Sequence, residues 1–385
     1  LIEVIKNPAL LDGFDKYQLL PTFWSFVDRA YGYHGKHELQ DLLATMMINF
    51  AYYQMELDLP TSLQSYEVSY INNVVSFMLN LRNRRDTRAV YKKIATDVWQ
   101  QLDGYQLFKN LKISERLKTD TFIQFDQQVV QWLVEQLLQG HLGEVIDQMS
   151  LPEIAGKRCR MYFAEENQLA YSMVVQAHSI LTKREIHDTG KLDDLIHAYI
   201  TDGYLIDTAY RKYTNASDQL PTSQVEVFEK LSQKVEAAYN NDHLAPTIHD
   251  WCQEYVPNVV EPRTLERNFY SSVVAPNKDR VVVIISDAFR FEAAKELQER
   301  LDSRDVFGTD MHYAITGVPS VTYFGMPSLL PNQKLTYQGD KELLVDGKKA
   351  VNLEQRLEIL QSLEPQSRAM HLKDFISMSL ADQKK

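Results

Sequence analysis

The sequence has few cysteines and no apolar run of membrane length, and these two features narrow its class. Two of the 385 residues are cysteine, Cys159 and Cys252, and neither belongs to a CxxC pair. A disulfide framework and a cysteine-based structural zinc site are therefore disfavoured, and a reducing, cytoplasmic location is expected. No apolar run approaches the roughly 20 residues that a membrane span requires, and no signal peptide opens the chain.

Excess positive charge and a phosphate-binding loop are also missing from the sequence. The formal net charge of −11 argues against a protein that coats nucleic acid along its whole surface. No GxxxxGK[ST] string is present, which disfavours an intrinsic ATPase. With 44% hydrophobic and 24% charged residues, the composition is that of a soluble globular protein, and the length predicts two or more domains.

Helical periodicity dominates residues 1–255. The stretch from Asp41 to Met55 is dense in helix-forming residues, and Pro60 follows it closely. Apolar residues at 130, 133, 134, 137 and 138 lie at helical spacing, and Gly140 is a natural stop. We therefore predict a mostly α-helical amino-terminal region, with room for two subdomains.

After residue 255 the helical pattern gives way to a proline-rich stretch, which predicts a domain boundary. Three prolines, Pro257, Pro262 and Pro276, punctuate residues 256–280, which we interpret as a linker. Residues 281–385 then alternate apolar extended stretches with a helical pattern. This alternation is typical of an α/β sheet, so the predicted fold class is mixed.

A carboxylate ends the most apolar stretch of this second part. Val281–Ile285 is a run of five β-branched residues, which predicts a strand of a parallel sheet covered on both faces. Asp287 follows at its carboxyl end, where open α/β sheets bind their ligands. Two interpretations stay open: Asp287 caps the next helix, or it is an oxygen ligand for divalent cations.

A second stretch, from Gly317 to Pro331, offers hydroxyl groups. Ser320 and Thr322 stand just before an apolar run, where either could cap a helix. A hydroxyl beside a metal ion is also a competent nucleophile, because the cation stabilises its alkoxide.

Three blocks after Arg280 resemble consecutive blocks of the PglZ family, most closely type A PglZ of BREX phage-defence systems. They are VVVIISDAFRFEAAKEL, GVPSVTYFGMPSLLP and LVDGKKAVNLEQRLEIL. PglZ domains belong to the alkaline phosphatase superfamily, so the resemblance implies that 281–385 is the first part of such a core. It implies that Asp287 is a metal ligand and that Thr322 is both the nucleophile and a ligand. Arg290 and Ser320 are possible supporting residues.

The resemblance further implies two divalent metal ions, expected to be zinc, and metal-dependent hydrolysis of a phosphate ester. Candidate substrates are a nucleic-acid phosphodiester and a phosphorylated protein, and the expected partners are other BREX proteins. Further Asp and His ligands would come from a later string that does not occur in these 385 residues. We therefore expect a fragment of a longer protein that is inactive by itself. His312 and His371 lack ligand-like spacing, and Pro327 departs from the family pattern.

Other functions remain open. The chain could be a non-catalytic assembly or regulatory subunit that binds other defence proteins. A haloacid-dehalogenase site would require a second Asp two residues after Asp287, where the sequence has Phe289. The basic segment Arg82–Lys93 is interpreted as a solvated helix face, with a nucleic-acid or protein contact as the alternative. The adjacent His187 and Asp188 have no identifiable nucleophile nearby.

Overall fold

The computed structural model describes residues 1–182, 191–256, 260–304, 308–339 and 342–383. The described residues divide into two compact units. The first comprises those within Leu1–Glu185 and Ile206–Pro246, and the second those within Ile186–Leu205 and Thr247–Lys385. The predicted linker at 256–280 between two domains stays a prediction. His187 and Asp188 lie outside the described residues.

Helices make up most of the described chain, with short antiparallel strands between them. Short 3₁₀ turns span Thr61–Tyr66, Pro262–Thr264 and Glu266–Asn268, and π-helical turns span Tyr199–Gly203, Ala238–Leu244 and Tyr270–Val274. The helices are α1 (Ile2–Lys6), α2 (Leu10–Lys16), α3 (Leu20–Tyr31), α4 (Leu39–Met55), α5 (Ile71–Asn83), α6 (Arg88–Gln101), α7 (Gly104–Leu107), α8 (Ile113–Arg116), α9 (Ile123–Gln139), α10 (Leu151–Arg158), α11 (Ala164–Thr182), α12 (Leu192–Ala198), α13 (Tyr204–Asp218), α14 (Thr222–Ala237), α15 (Ala245–Glu254), α16 (Phe291–Asp302), α17 (Thr322–Ser328), α18 (Leu353–Leu363), α19 (Leu372–Ser377) and α20 (Leu380–Gln383). The strands are β1 (Val145–Ile146), β2 (Met149–Ser150), β3 (Leu335–Gln338), β4 (Glu342–Val345) and β5 (Lys348–Lys349).

The first unit contains two apolar cores, and α4 and α9 are central to them. Helix α4 is buried on nearly every face, which is why its sequence has no polar stripe. Helix α9 buries Val130, Leu133 and Val134 and ends at Gly140, whose φ of 79° is readily adopted by glycine. Both predicted helices are confirmed.

A buried ion pair lies within the first unit. The Arg158 Nε donates to Asp126 Oδ1 at 2.9 Å, and the Tyr171 hydroxyl donates to the same oxygen at 2.5 Å. The Arg158 guanidinium also donates to the Thr119 carbonyl at 2.6 Å. The Arg158 side chain has no exposed surface and that of Asp126 is 2% exposed. Because a buried charge is costly without a partner, these contacts make each residue depend on the other.

The second unit contains a small antiparallel sheet in the order β3-β4-β5. Asp346 and Gly347 form the β4–β5 turn with φ of 49° and 82°, as a two-residue hairpin with an Asp-Gly pair requires. The Asp346 carboxylate accepts hydrogen bonds from the backbone of Gln333 and Lys334, which fastens the turn to the segment before β3. A compact apolar cluster of Leu330, Val345, Ala350 and Ile359 accompanies the sheet.

The prediction of a buried parallel strand at Val281–Ile285 is wrong for this structure. These residues form no strand, and their exposed fractions range from 40% to 76%. The physical reason is that a strand needs neighbours for its backbone hydrogen bonds, and no described segment pairs with this one. The helix that follows begins only at Phe291, so Phe289 precedes it, and Leu297 on α16 is 44% exposed.

The mixed fold class with a mostly helical amino-terminal region is confirmed. Cys159 and Cys252 are both free thiols. Among the described residues, no helix combines the length and the apolar character that a membrane crossing requires.

Candidate functional site

Asp287 lies in a tight exposed turn rather than at a helix end. Helix α16 begins at Phe291 with Arg290 as its N-cap, so the predicted capping role of Asp287 is wrong. Its Oδ1 instead accepts a hydrogen bond from the backbone of Ala288 at 3.0 Å. Ala288 has a φ of 54°, in the left-handed region that non-glycine residues seldom adopt. Such strained turns occur often where a side chain is held for function.

Thr322 is held by the anchored loop that precedes α17. The Ile315 backbone bonds to both sides of Leu265, with its N–H donating to the Thr264 carbonyl at 2.6 Å and its carbonyl accepting from Glu266 at 3.0 Å. Val321 is the N-cap of α17, and no side-chain cap is present. Thr322 is thus the first helical residue, and the alternative that Ser320 or Thr322 caps this helix is wrong.

The structure brings the two principal predicted residues together. The Thr322 hydroxyl donates a hydrogen bond to Asp287 Oδ2 at 2.9 Å, across 35 positions of sequence. Both side chains are exposed. A hydroxyl hydrogen-bonded to a carboxylate has the arrangement of a nucleophile beside a group that can accept its proton or share a cation with it. Neither side chain serves a helix end, so the pair is free to contact a ligand.

The other predicted residues do not join this contact. Arg290 and Ser320 are exposed and make no side-chain hydrogen bond within the described residues. His312 and His371 are exposed as well. Pro327 lies inside α17 and is buried; because proline has no N–H, it removes one hydrogen bond from a helix of 7 residues.

Two features of the site could not be found from the sequence. Ala288 carries no signal for a left-handed turn, since asparagine or glycine is the usual residue there. The support of α17 by Glu266 is also unpredicted, because it depends on contacts across 62 positions, where the Ser328 hydroxyl donates to the Glu266 carboxylate at 3.4 Å. Glu266 lies in the predicted linker, residues 256–280, and no sequence pattern there predicts this contact.

The basic segment Arg82–Lys93 is largely neutralised within its own unit. Arg82 pairs with Asp120 at 2.5 Å, Arg88 pairs with Glu165 at 3.1 Å, and Lys92 contacts Glu166. Three of its cations also surround the Tyr162 ring, at 5.3 to 5.9 Å from its centroid. Arg84 pairs with Asp86, and hydrogen bonds from Arg84 and Lys6 lower the pKa of the Asp86 carboxyl to about 2. The segment therefore is not one solvated helix face: it spans the end of α5 and the start of α6, and most of its cations are held by contacts within the first unit.

Residues 269–385 match the family model of the BREX system PglZ alkaline phosphatase-like domain. The matched range contains both Asp287 and Thr322, so both residues lie in the part of the chain that is similar to this domain. The resemblance to the PglZ family that the three sequence blocks predicted is confirmed.

Two curated proteins carry the similarity into the helical region. The chain is 30% identical over 376 residues to the alkaline phosphatase-like protein PglZ of Bacillus cereus (strain H3081.97), covering 93% of this chain and 43% of that protein. It is 25% identical over 352 residues to the alkaline phosphatase-like protein BrxZ of Escherichia coli O9:H4 (strain HS), covering 84% of this chain and 40% of that protein. The chain thus spans about two fifths of the length of these relatives. No solved structure matches it significantly.

Similarity to an alkaline-phosphatase-like domain suggests divalent metal ions. The question is whether enough metal-binding side chains lie near Asp287. Asp287 offers a carboxylate and Thr322 a hydroxyl at 2.9 Å. In the part of the chain that the structure describes, no group of three or more His, Cys, Asp or Glu side chains could hold a metal ion. Structural and catalytic zinc sites take three or four protein ligands. The described donors therefore do not suffice for a metal site.

Proposed function

We propose that this chain carries the nucleophile of a metal-dependent phosphoesterase that acts in a bacterial BREX anti-phage system. The observation that carries the proposal is the 2.9 Å hydrogen bond from the Thr322 hydroxyl to Asp287, within the range that matches the PglZ family model. A threonine hydroxyl is a weak nucleophile by itself, and an adjacent carboxylate or a shared cation activates it. Phosphatases, phosphodiesterases and nucleases that use a covalent nucleophile begin with such an attack on phosphorus.

The proposed roles follow from position. The Thr322 oxygen attacks phosphorus, the bond from phosphorus to the ester alcohol breaks, and water then hydrolyses the phosphothreonine. With Asp287, Thr322 would contribute the first metal-binding oxygens. Arg290 and Ser320 are exposed and without hydrogen bonds to other described side chains, so they are available to contact the substrate phosphate. Two divalent ions, with zinc as the first candidate, require further ligands. We propose that these come from parts of the protein outside residues 1–385, as the greater length of both relatives allows.

The proposed setting is the cytoplasm, with other BREX proteins as partners. Candidate substrates are a DNA phosphodiester and a phosphorylated protein, since both present the ester that a hydroxyl nucleophile attacks. Support for the setting comes from the description of the matched family and from the low cysteine content.

Substitution of the nucleophile tests the proposal. In a protein of the relatives' length, Thr322→Ala should lower turnover of a generic phosphodiester by at least about 1000-fold, because loss of a nucleophile removes the covalent route. Thr322→Ser keeps the hydroxyl and should retain measurable turnover. Ser271→Ala is a control, because it removes an exposed hydroxyl of the second unit that bonds to the Asn268 carbonyl, away from Thr322 and α17. Equal activity of Thr322→Ala and the parent protein would disprove the role of Thr322.

A second candidate function is a non-catalytic assembly or regulatory subunit that binds other defence proteins. This function is favoured because Asp287 and Thr322 are two donors only, and the described residues offer no third ligand for a metal ion. Elemental analysis of a protein of the relatives' length separates the two functions. About two bound divalent ions per chain support the enzyme, and a metal-free, folded protein that still binds its partners supports the assembly subunit.

A further inference from the structure

An open cavity borders the helix that carries Thr322. It has a volume of about 510 Å³ and is lined entirely by residues of the second unit. Tyr323, Phe324 and Gly325 of α17 form part of its wall, and Pro319 lies on the other side of Thr322 in sequence. Consecutive Cα atoms are about 3.8 Å apart, so the backbone of Thr322 lies beside the wall. The volume is within the range typical of small-molecule sites, about 300–1000 Å³.

Aromatic rings line this cavity and remain accessible. The Phe324 ring lies 4.8 Å from that of Tyr323 and 5.6 Å from that of Tyr337, measured between centroids. Tyr323 is 44% exposed and Tyr337 is 58% exposed. Within the described residues, neither tyrosine hydroxyl makes a hydrogen bond, so the apolar rings are not held to the surface by a polar contact. Accessible rings of this kind stack on planar aromatic ligands.

One cation accompanies the rings. Arg267 lines the cavity, and its guanidinium makes no ion pair or hydrogen bond with any described side chain. Its backbone is fixed, because its carbonyl accepts a hydrogen bond from Asn332 at 3.0 Å. In a chain with a net charge of −11, an arginine without an acidic partner is well suited to an anionic ligand.

We propose that this cavity binds the base of a nucleotide, with Arg267 contacting a phosphate of the same ligand. Stacking on Tyr323 and Tyr337 selects a planar ring, and the guanidinium selects an anion attached to it. The inference deepens the proposed function and rests on it for one point only, that the bound nucleotide is part of the phosphate ester offered to Thr322. A phosphotyrosine side chain also joins a ring to a phosphate, but its single ring would leave more of the 510 Å³ unfilled.

Calorimetric titration of the 385-residue chain with AMP tests the binding without any catalysis. We expect saturable binding of AMP, weaker binding of adenosine, and no binding of ribose 5-phosphate, which lacks the base. Tyr337→Ala should weaken AMP binding about 10-fold, since stacking of a base typically contributes about 5- to 150-fold in affinity. Arg267→Ala should weaken AMP about 10-fold and leave adenosine unchanged, because adenosine has no phosphate.

Matched controls come from exposed residues outside the cavity. Tyr17→Ala removes a tyrosine that is 70% exposed in the first unit, and Arg263→Ala removes an arginine that pairs with Glu261. Both should bind AMP as the parent chain does. Circular dichroism should show that Tyr337→Ala and Arg267→Ala are folded, and Tyr323→Ala repeats the stacking test on another element.

Several outcomes would overturn the inference. They are the absence of AMP binding, equal binding of ribose 5-phosphate, binding of phosphotyrosine in preference to AMP, and unchanged affinity in all three cavity variants. The proposed function fails separately, when a longer protein shows no Thr322-dependent hydrolysis. AMP binding by this chain together with an inactive longer protein would therefore keep the cavity assignment and refute the phosphoesterase.

Discussion

At the scale of single residues, Asp287 and Thr322 are the informative pair. Each precedes a helical pattern in the sequence, so a capping role was a reasonable alternative for both. The structure gives those helix ends to Arg290 and Val321 and leaves the two side chains bonded to each other at 2.9 Å. A side chain that serves neither a core nor a helix end is available for chemistry.

The carboxylate of Asp287 should matter for metal content rather than for folding. In a protein of the relatives' length, Asp287→Ala should reduce bound divalent metal and lower phosphoesterase activity by more than about 100-fold. Loss of even an outer partner of a metal ligand typically costs about 10- to 100-fold. Elemental analysis and a phosphodiester assay measure both effects. With a chelator present, the thermal unfolding curves of the variant and the parent should agree, because the side chain is exposed.

Asp279→Ala provides the control, because Asp279 is an exposed carboxylate shortly before the same segment. It should retain metal and activity. If Asp287→Ala also retained both, Asp287 would be a turn residue and not a ligand.

Breaking the buried pair of Asp126 and Arg158 should destabilise the first unit. Arg158→Met removes the cation and leaves the Asp126 charge buried, which should lower the free energy of unfolding by about 3–5 kcal/mol. Urea unfolding followed by tryptophan fluorescence reports mainly on this unit, which contains Trp24, Trp99 and Trp132, and Trp251→Phe removes the signal of the second unit. The double variant Arg158→Met, Asp126→Leu should recover part of the loss, because no unpaired charge then remains. A loss no larger in Arg158→Met than in Arg263→Met, on the surface, would contradict this account.

At the scale of elements, the segment Arg82–Lys93 shows how ion pairs change the meaning of a charge run. Arg84, Arg88 and Lys92 each have an acidic partner, and Arg82 pairs with the buried Asp120. Of the six cations in the segment, two lack an ion pair among the described residues, Arg85 and Lys93. Neutralised cations release few counterions from DNA, so the segment is a poor electrostatic site for it.

Replacement of Arg84, Arg85 and Arg88 by alanine should therefore leave the affinity for duplex DNA unchanged within about twofold. The slope of log affinity against log salt concentration should also be unchanged, since each lost phosphate contact would reduce it by about 0.9. A filter-binding or anisotropy titration at several salt concentrations measures both quantities. Weaker binding with a shallower slope would assign the segment to nucleic acid.

The segment Val281–Ile285 shows how an apolar run stays exposed when no described strand lies beside it. Five β-branched residues have the composition of a buried strand, yet here they are exposed by 40% to 76%. Composition reports what a segment prefers when neighbours are available, and it does not supply those neighbours. The described part of the chain offers no strand beside this segment.

At the scale of the whole molecule, the site of this chain should be incomplete. We predict that the 385 residues alone hydrolyse a generic phosphodiester at the background rate with zinc or manganese added. Asp287 and Thr322 supply two donors, whereas activation of a nucleophile by metal requires ions held by several ligands at once. A chromogenic phosphodiester assay with each metal measures this, and a protein of the relatives' length is the positive control. Metal-dependent turnover by residues 1–385 that is lost in Thr322→Ala would show a complete site.

The sequence by itself determined the long helices and the resemblance to the PglZ family. Helix α4 was predictable from its many helix-forming residues, and α9 from its apolar spacing and its terminal Gly140. These signals are local, each contained within a few turns. The similarity of residues 269–385 to PglZ domains was likewise contained in the order of three short blocks. The Asp346–Gly347 pair is a local hairpin signal of the same kind, although we predicted no hairpin there.

Only the tertiary structure decided what the site residues do and which segments are covered. The contact between Thr322 and Asp287 spans 35 positions, and the pair of Arg158 and Asp126 spans 32, so neither follows from local spacing. The basic segment is largely neutralised by acidic residues far from it in sequence. Val281–Ile285 is exposed because no described strand lies beside it. The left-handed turn at Ala288 is likewise not set by its own sequence. Local sequence sets conformational preference, whereas pairing and burial are properties of residues that meet only after folding.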